Sequence, residues 1–146
     1  MVAYTATMLV GQTTLKTKTK KVKMKTAIII LSDPKADEDA LGRMFNGLAL
    51  AAEAVKAGDE TEIVFTGAGT RWPTELSKPT HPAHGLYQTV QPVVVGACNH
   101  CAIVFGAESA VKSCGLQVIT DNNLAGTHGL ASIRRYLAEG WQTVLF

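Results

Sequence analysis

The sequence predicts an α/β protein, a three-layer, flavodoxin-like domain built on a five-stranded, mainly parallel sheet. Three observations lead there. Short apolar, mostly β-branched runs alternate with stretches of helical periodicity. The clearest run, Ala27-Ile-Ile-Ile-Leu31, is apolar at every position instead of every second one, which suits a strand covered on both faces. The longer helical stretches stop at Gly58, Gly115 and Gly140, where a left-handed cap belongs. At 146 residues the chain is long enough for one domain with a full core.

Residues 1–25 are rich in Thr and Lys, lack a sustained helical period, and read as an N-terminal arm ahead of a domain spanning 26–146. Lys16, Lys18, Lys20, Lys21, Lys23 and Lys25 lie in this arm with no acidic residue among them. The remainder holds eight basic residues against twelve acidic ones, a net charge of −4, so the basic balance belongs to the arm. The folded part therefore has no composition suited to nucleic acid. The arm's charge fits an electrostatic tether, but its spacing carries no specificity. No window reaches the roughly 18 consecutive apolar residues of a membrane span. The first ten residues are too polar for a secretory signal. The three cysteines are accordingly read as thiols of a cytoplasmic protein.

The first strand, Thr26–Leu31, is bounded by Ser32-Asp33-Pro34. A helix follows from about Asp37 to Ala57. Asp37, Glu38 and Asp39 crowd its first turn, where the dipole favours anions, and Leu41, Met44, Phe45, Leu48, Ala52 and Val55 mark its inner face. Glu62–Thr66 is the second strand, and Gly67–Lys78 reads as a long loop, of the kind that is functional after a strand's carboxyl end. Pro82 to about Thr89 forms a short helix. The third strand runs into Gly96-Ala97-Cys98, and a helix carries Phe105 to Ser113. Leu116–Thr120 is the fourth strand. Asp121–Gly129 is a loop, Leu130 to Glu139 a helix with Leu130, Ile133 and Leu137 inward, and Trp141–Phe146 the last strand. Ligands of such sheets collect beyond the strands' carboxyl ends, where Asp33, the Gly67–Lys78 loop, Cys98 and the Asp121–Gly129 loop would converge.

The chemistry centres on Cys98-Asn-His-Cys101. Its C-x-x-C spacing serves redox chemistry, zinc binding or plain core packing. A thiol at a strand–helix junction meets unpaired backbone N–H groups, which favour the thiolate, so Cys98 is expected to be accessible and easily ionised. His100, between the cysteines, is placed to tune them through its charge. His81 and His84 either line the same face or cap and pack the short helix. Cys114 reads as a small buried hydrophobe. A zinc site would combine Cys98 and Cys101 with two of His81, His84, His100 and His128, but no second C-x-x-C and no compact His pair support it. A phosphate or flavin cradle is disfavoured, because Asp33, Asp37, Glu38 and Asp39 would repel the anion and Pro34 lacks a donor. No cofactor and no metal are expected. Serine catalysis lacks a G-x-S-x-G elbow.

The order of parts resembles the DsrE family of small sulfur-relay proteins, over about residues 26–146. The best match is Cys98 followed by Ala102-Ile-Val-Phe-Gly106. Ala27–Leu31, Ile63-Val-Phe-Thr-Gly67, His81-Pro82 with Leu86-Tyr87, and Trp141–Phe146 are also similar. The resemblance implies a flavodoxin-like fold, a homo-oligomer (a trimer or hexamer), and a cysteine, by motif position Cys98, that accepts sulfane sulfur as a persulfide from a donor protein and passes it to an acceptor. Cys101 departs from the single-cysteine carriers, since a second thiol can resolve a persulfide into a disulfide and free sulfide. The expectation is a sulfur carrier or sulfurtransferase-like protein with Cys98 and Cys101 at its centre and His100, Asp33, His81 and His84 around them. The alternatives are a C-x-x-C thiol–disulfide switch and a non-catalytic oligomeric binding module.

Overall fold

Two-sided burial organises the chain. In the computed structural model, which describes residues 21–146, strand β1 (Lys25–Ile30) holds Ala27, Ile28, Ile29 and Ile30 at 0–1% exposure. Residues 1–20, most of the expected arm, lie outside the described residues. Side chains alternate across a strand, so burying both sets requires a layer on each face. Ile28 and Ile30 join the larger core with Met44, Leu48, Phe65 and Trp72. Ala27 and Ile29 join a smaller one with Val64 and Tyr136.

Five strands form one parallel sheet in the order β4-β3-β2-β1-β5, with β2 at Glu60–Phe65, β3 at Val94–Cys98, β4 at Val118–Ile119 and β5 at Gln142–Leu145. The chain steps outward from β1 to β4 and then returns to place β5 beside β1. The three-layer, flavodoxin-like arrangement of helices around a parallel sheet is therefore present.

Helix α1 (Glu38–Ala57) covers the larger core. The Asp37 carboxylate caps it by accepting from Ala40 N at 2.9 Å, and Gly58 closes it at φ 82°. Its inner face is Ala40, Met44, Gly47, Leu48, Ala51 and Ala54. Phe45 and Val55, expected inside, are 45% and 44% exposed, because the buried stripe drifts to the small residues that let the helix lie close to the sheet.

Three expected elements differ. The stretch 67–78 is no open loop: it forms a 3-10 helix (Gly67–Arg71) and helix α2 (Trp72–Leu76), anchored by the buried Trp72, whose indole N–H donates to Ser32 O at 2.7 Å. After α3 (His84–Val90), the helix expected over Phe105–Ser113 shortens to α5 (Glu108–Ser113), and a separate short helix, α4 (Asn99–Val104), precedes it across Gly106 with φ 68°. The last helix, α6, spans only Ile133–Ala138. Tyr136 is its buried residue and Leu137 is 60% exposed. Alone among the helices of the described residues, α6 packs on the smaller core, through Tyr136 edge-on to Trp141 and hydrogen-bonded to Glu62.

A close approach sets the site. A Cβ on Gly69 would lie 2.2 Å from Ile30 O, so only glycine lets the 3-10 helix rest on the end of β1. Gly69→Ala is expected to lower stability by about 2 kcal/mol or more. Gly42→Ala, in an α1 position with nothing within 4 Å of the new carbon, should raise it by about 0.5–1 kcal/mol. Urea unfolding of the two variants checks both signs.

Candidate functional site

The carboxyl ends of β1, β2 and β3 each deliver polar groups to one rim. From β1, Asp33 accepts from Lys35 N at 3.0 Å and from Arg71 Nη1 at 2.7 Å. The Lys35 backbone N–H, with the Arg71 guanidinium, holds its carboxyl below the usual range against the opposing effect of burial. Arg71 closes the 3-10 helix. Its Nε donates to Phe105 O at 3.1 Å, and its guanidinium lies 5.4 Å over the Phe105 ring. One side chain thus ties the β1 loop to the end of α4.

From β2 comes Thr66, whose Oγ1 lies 3.4 Å from Cys101 Sγ. From β3 comes Cys98, at the cap position of α4 with the backbone N–H groups of Cys101 and Ala131 nearby, though its side chain makes no capping hydrogen bond. The expected exposure of Cys98 is corrected: the residue is 1% exposed. Its ease of ionisation is corrected with it. Burial, followed by the Cys101 thiol, pushes the Cys98 pKa up, and the two backbone N–H groups offset this only in part. The outer thiol of the pair is Cys101, which is half-buried one turn further on.

The remaining candidates sort by contact. His100 faces the 121–131 loop: its Nδ1 accepts from His128 N at 3.3 Å, and the two rings lie 5.8 Å apart, tilted by 31°. His81 stands edge-on to Trp72 at 6.1 Å and accepts from Ala83 N at 3.1 Å; burial lowers its pKa, opposed by Glu75. The His84 ring bonds to Leu76 O at 2.7 Å. These two histidines brace the turn ahead of the short helix without capping it, and make no hydrogen bond to the thiols. Cys114 is half-buried, not enclosed in hydrocarbon, with Thr74 Oγ1 at 3.8 Å and Ser77 Oγ at 3.7 Å. Among the described residues, no three of His, Cys, Asp and Glu come together as metal ligands, so the zinc combination is not assembled.

A separate open cleft of about 400 Å³ lies beside the β1 loop, lined by Lys35, Asp37, Glu38, Trp72, Glu75 and His81. It contains no cysteine. Its three carboxylates disfavour an anionic ligand, as the sequence of this loop implies. The thiol pair therefore sits apart from this cleft. Arg71, Thr66, Asn99 and Ala131 were not singled out by sequence. Of these, only Asn99 has a positional signal in the sequence, inside the C-x-x-C.

No protein-family model matches the chain, and no curated protein matches it. Among solved structures it is similar to a conserved protein of unknown function from Bacteroides thetaiotaomicron, with a TM-score of 0.53 and 16% identity over 84% of this chain and 95% of that one. That likeness concerns the fold. None of the three comparisons assigns the chain to the DsrE family, and no described helix is long and apolar enough to cross a membrane.

Two outcomes are expected here. At limiting N-ethylmaleimide, Cys101 is alkylated ahead of Cys98; peptide fragment masses read the order. The Asp33 carboxyl is held low in the fold, so its stabilising contribution is complete above the unfolded value of about 3.9 and is lost as pH falls through the lower folded value. The stability gap between the wild type and Asp33→Asn should therefore be flat above about pH 5 and close towards about pH 2, as measured by unfolding at each pH.

Proposed function

We propose that this chain handles sulfane sulfur at its C-x-x-C pair, as a sulfur carrier or sulfurtransferase-like protein of a reducing compartment. The observation that carries the proposal is the pair itself: a half-buried outer thiol, Cys101, three positions from a buried inner thiol, Cys98, at the carboxyl end of a parallel sheet. The motif resemblance to the DsrE family supports it and extends the proposal to a homo-oligomer, a trimer or hexamer, that meets donor and acceptor proteins. The exposed Leu124, Leu137 and Leu145 suit such contacts.

The burial of Cys98 reverses the order of the two thiols from the one the motif implies. Cys101 thiolate attacks the outer sulfur of a donor persulfide, forming a Cys101 persulfide and displacing the donor thiolate. An acceptor thiolate can then take that outer sulfur, restoring Cys101. Alternatively, Cys98 thiolate attacks Cys101 Sγ. The bond to the outer sulfur breaks, hydrosulfide leaves, and a Cys98–Cys101 disulfide remains, which a dithiol reductant resets. In this second route the sulfane sulfur is reduced and the two thiols are oxidised by the same two electrons.

The C-x-x-C spacing of the thiols equally favours a second reading, a thiol–disulfide switch that carries no sulfur. Intact mass after exposure of the reduced protein to glutathione persulfide separates the two. Cys98→Ser is expected to keep a gain of about 32 Da that Cys98→Ser/Cys101→Ser lacks, while the wild type loses about 2 Da and releases sulfide. No sulfur on Cys98→Ser, with a wild-type disulfide formed by ordinary disulfide reagents, overturns sulfur transfer in favour of the switch.

A further inference from the structure

Cys98 is buried, and one segment lies against the turn that follows it. Beyond β4 the chain leaves the sheet and returns through a narrow neck, where Asn122 and Leu130 exchange two backbone hydrogen bonds of 2.9 Å each. Residues 121–126 between them are exposed. At the far side of the neck, Ala131 packs in the smaller core with Ile119, the β4 partner of Cys98. The neck is braced by Ser132 N donating to Asp121 Oδ1 at 2.7 Å and by Arg135 Nε at 3.5 Å from Asp121 Oδ2.

The segment is fastened to the protein at the first turn of α4, by the residues that lie within the C-x-x-C. Asn99 Nδ2 donates to His128 O at 2.7 Å, His100 N donates to Gly129 O at 2.9 Å, and His128 N donates to His100 Nδ1 at 3.3 Å. The last of these demands an unprotonated Nδ1 on His100, because a protonated imidazole has no acceptor. Protonation would also set a cation against the His128 ring at a centroid distance of 5.8 Å.

We propose that residues 121–131 are a lid over Cys98, latched by Asn99 and the His100–His128 contact, and that protonation of His100 releases it. Gly129, at φ 82° and with no room for a Cβ against Thr120, forms the bend that brings the strap back onto the sheet. The ionisable groups near the latch are His128 across the contact, the Cys98 and Cys101 thiols on the helix side, and the Asp121–Arg135 pair at the neck, itself tied to Glu62 of β2 and to Glu139. Imidazole is the side chain whose ordinary charge change falls between about pH 5 and 8. The lid regulates the thiol pair whether that pair carries sulfur or a disulfide, and its opening is measurable with no sulfur donor present.

The test is alkylation of Cys98 by limiting N-ethylmaleimide in the full chain. Each rate is divided by that of the same cysteine in the urea-unfolded chain at the same pH, which removes the thiolate fraction from the comparison. The normalised wild-type rate should rise about five- to tenfold from about pH 7.5 to 5.5, the effect of losing one hydrogen bond and gaining a repulsion. Asn99→Ala should raise it by a similar factor at the higher pH. His100→Asn, which keeps an acceptor at the Nδ1 position without a titrating ring, should stay slow at both. A wild-type rate independent of pH, a full rise retained in His100→Asn, or an Asn99→Ala rate equal to wild type each overturns the proposal. The wild-type comparison needs no variant to fold.

Discussion

The burial of β1 on both faces is the constraint on which the rest of the molecule depends. Three consecutive isoleucines removed from water contribute about 1.5–3 kcal/mol each, but only if something covers both sides of the strand. The helical layer of α1 to α5 satisfies Ile28 and Ile30, and the thinner layer of α6 satisfies Ile29. Because β1 lies between β2 and β5, its carboxyl end is crowded from both sides, with Leu31 N and Ser32 N both donating to Phe146 O. The Asp33 loop, the 3-10 helix on Gly69, and α4 are packed against this end as a consequence.

The thiol pair shows two opposing effects meeting at one atom. Backbone N–H groups at the start of α4 and from Ala131 favour a Cys98 thiolate. Burial excludes the water that would solvate that thiolate, and desolvation wins. A helix of six residues offers little dipole to redress the balance. Of the two thiols, Cys101, beside Thr66, is the more exposed, and Cys98 is buried.

The rim is held by side-chain bridges between segments distant in the chain. Arg71 joins Asp33 to Phe105, Trp72 joins α2 to Ser32, and Asn99 joins α4 to His128. Each bridge crosses more than 25 positions, so none leaves a periodic trace in the sequence. Arg71 lies in a glycine-rich stretch that looks like open loop until Trp72 is seen to be buried. The split between α4 and α5 has the same origin. The one visible sign was Gly106, whose positive φ breaks a stretch that otherwise has helical spacing.

By itself the sequence determined what is local. Apolar runs made the five strands, Asp37 and Gly58 set the ends of α1, and the C-x-x-C spacing put two sulfurs within reach of each other at a strand's carboxyl end. Such features depend on residues a few positions apart, and neighbouring residues carry enough information to specify them. The tertiary structure alone decided the strand order, the inner and outer roles of Cys98 and Cys101, and the attachment of the 121–131 segment to α4. Those depend on which distant groups displace water from a given atom, and that is a property of packing, not of spacing.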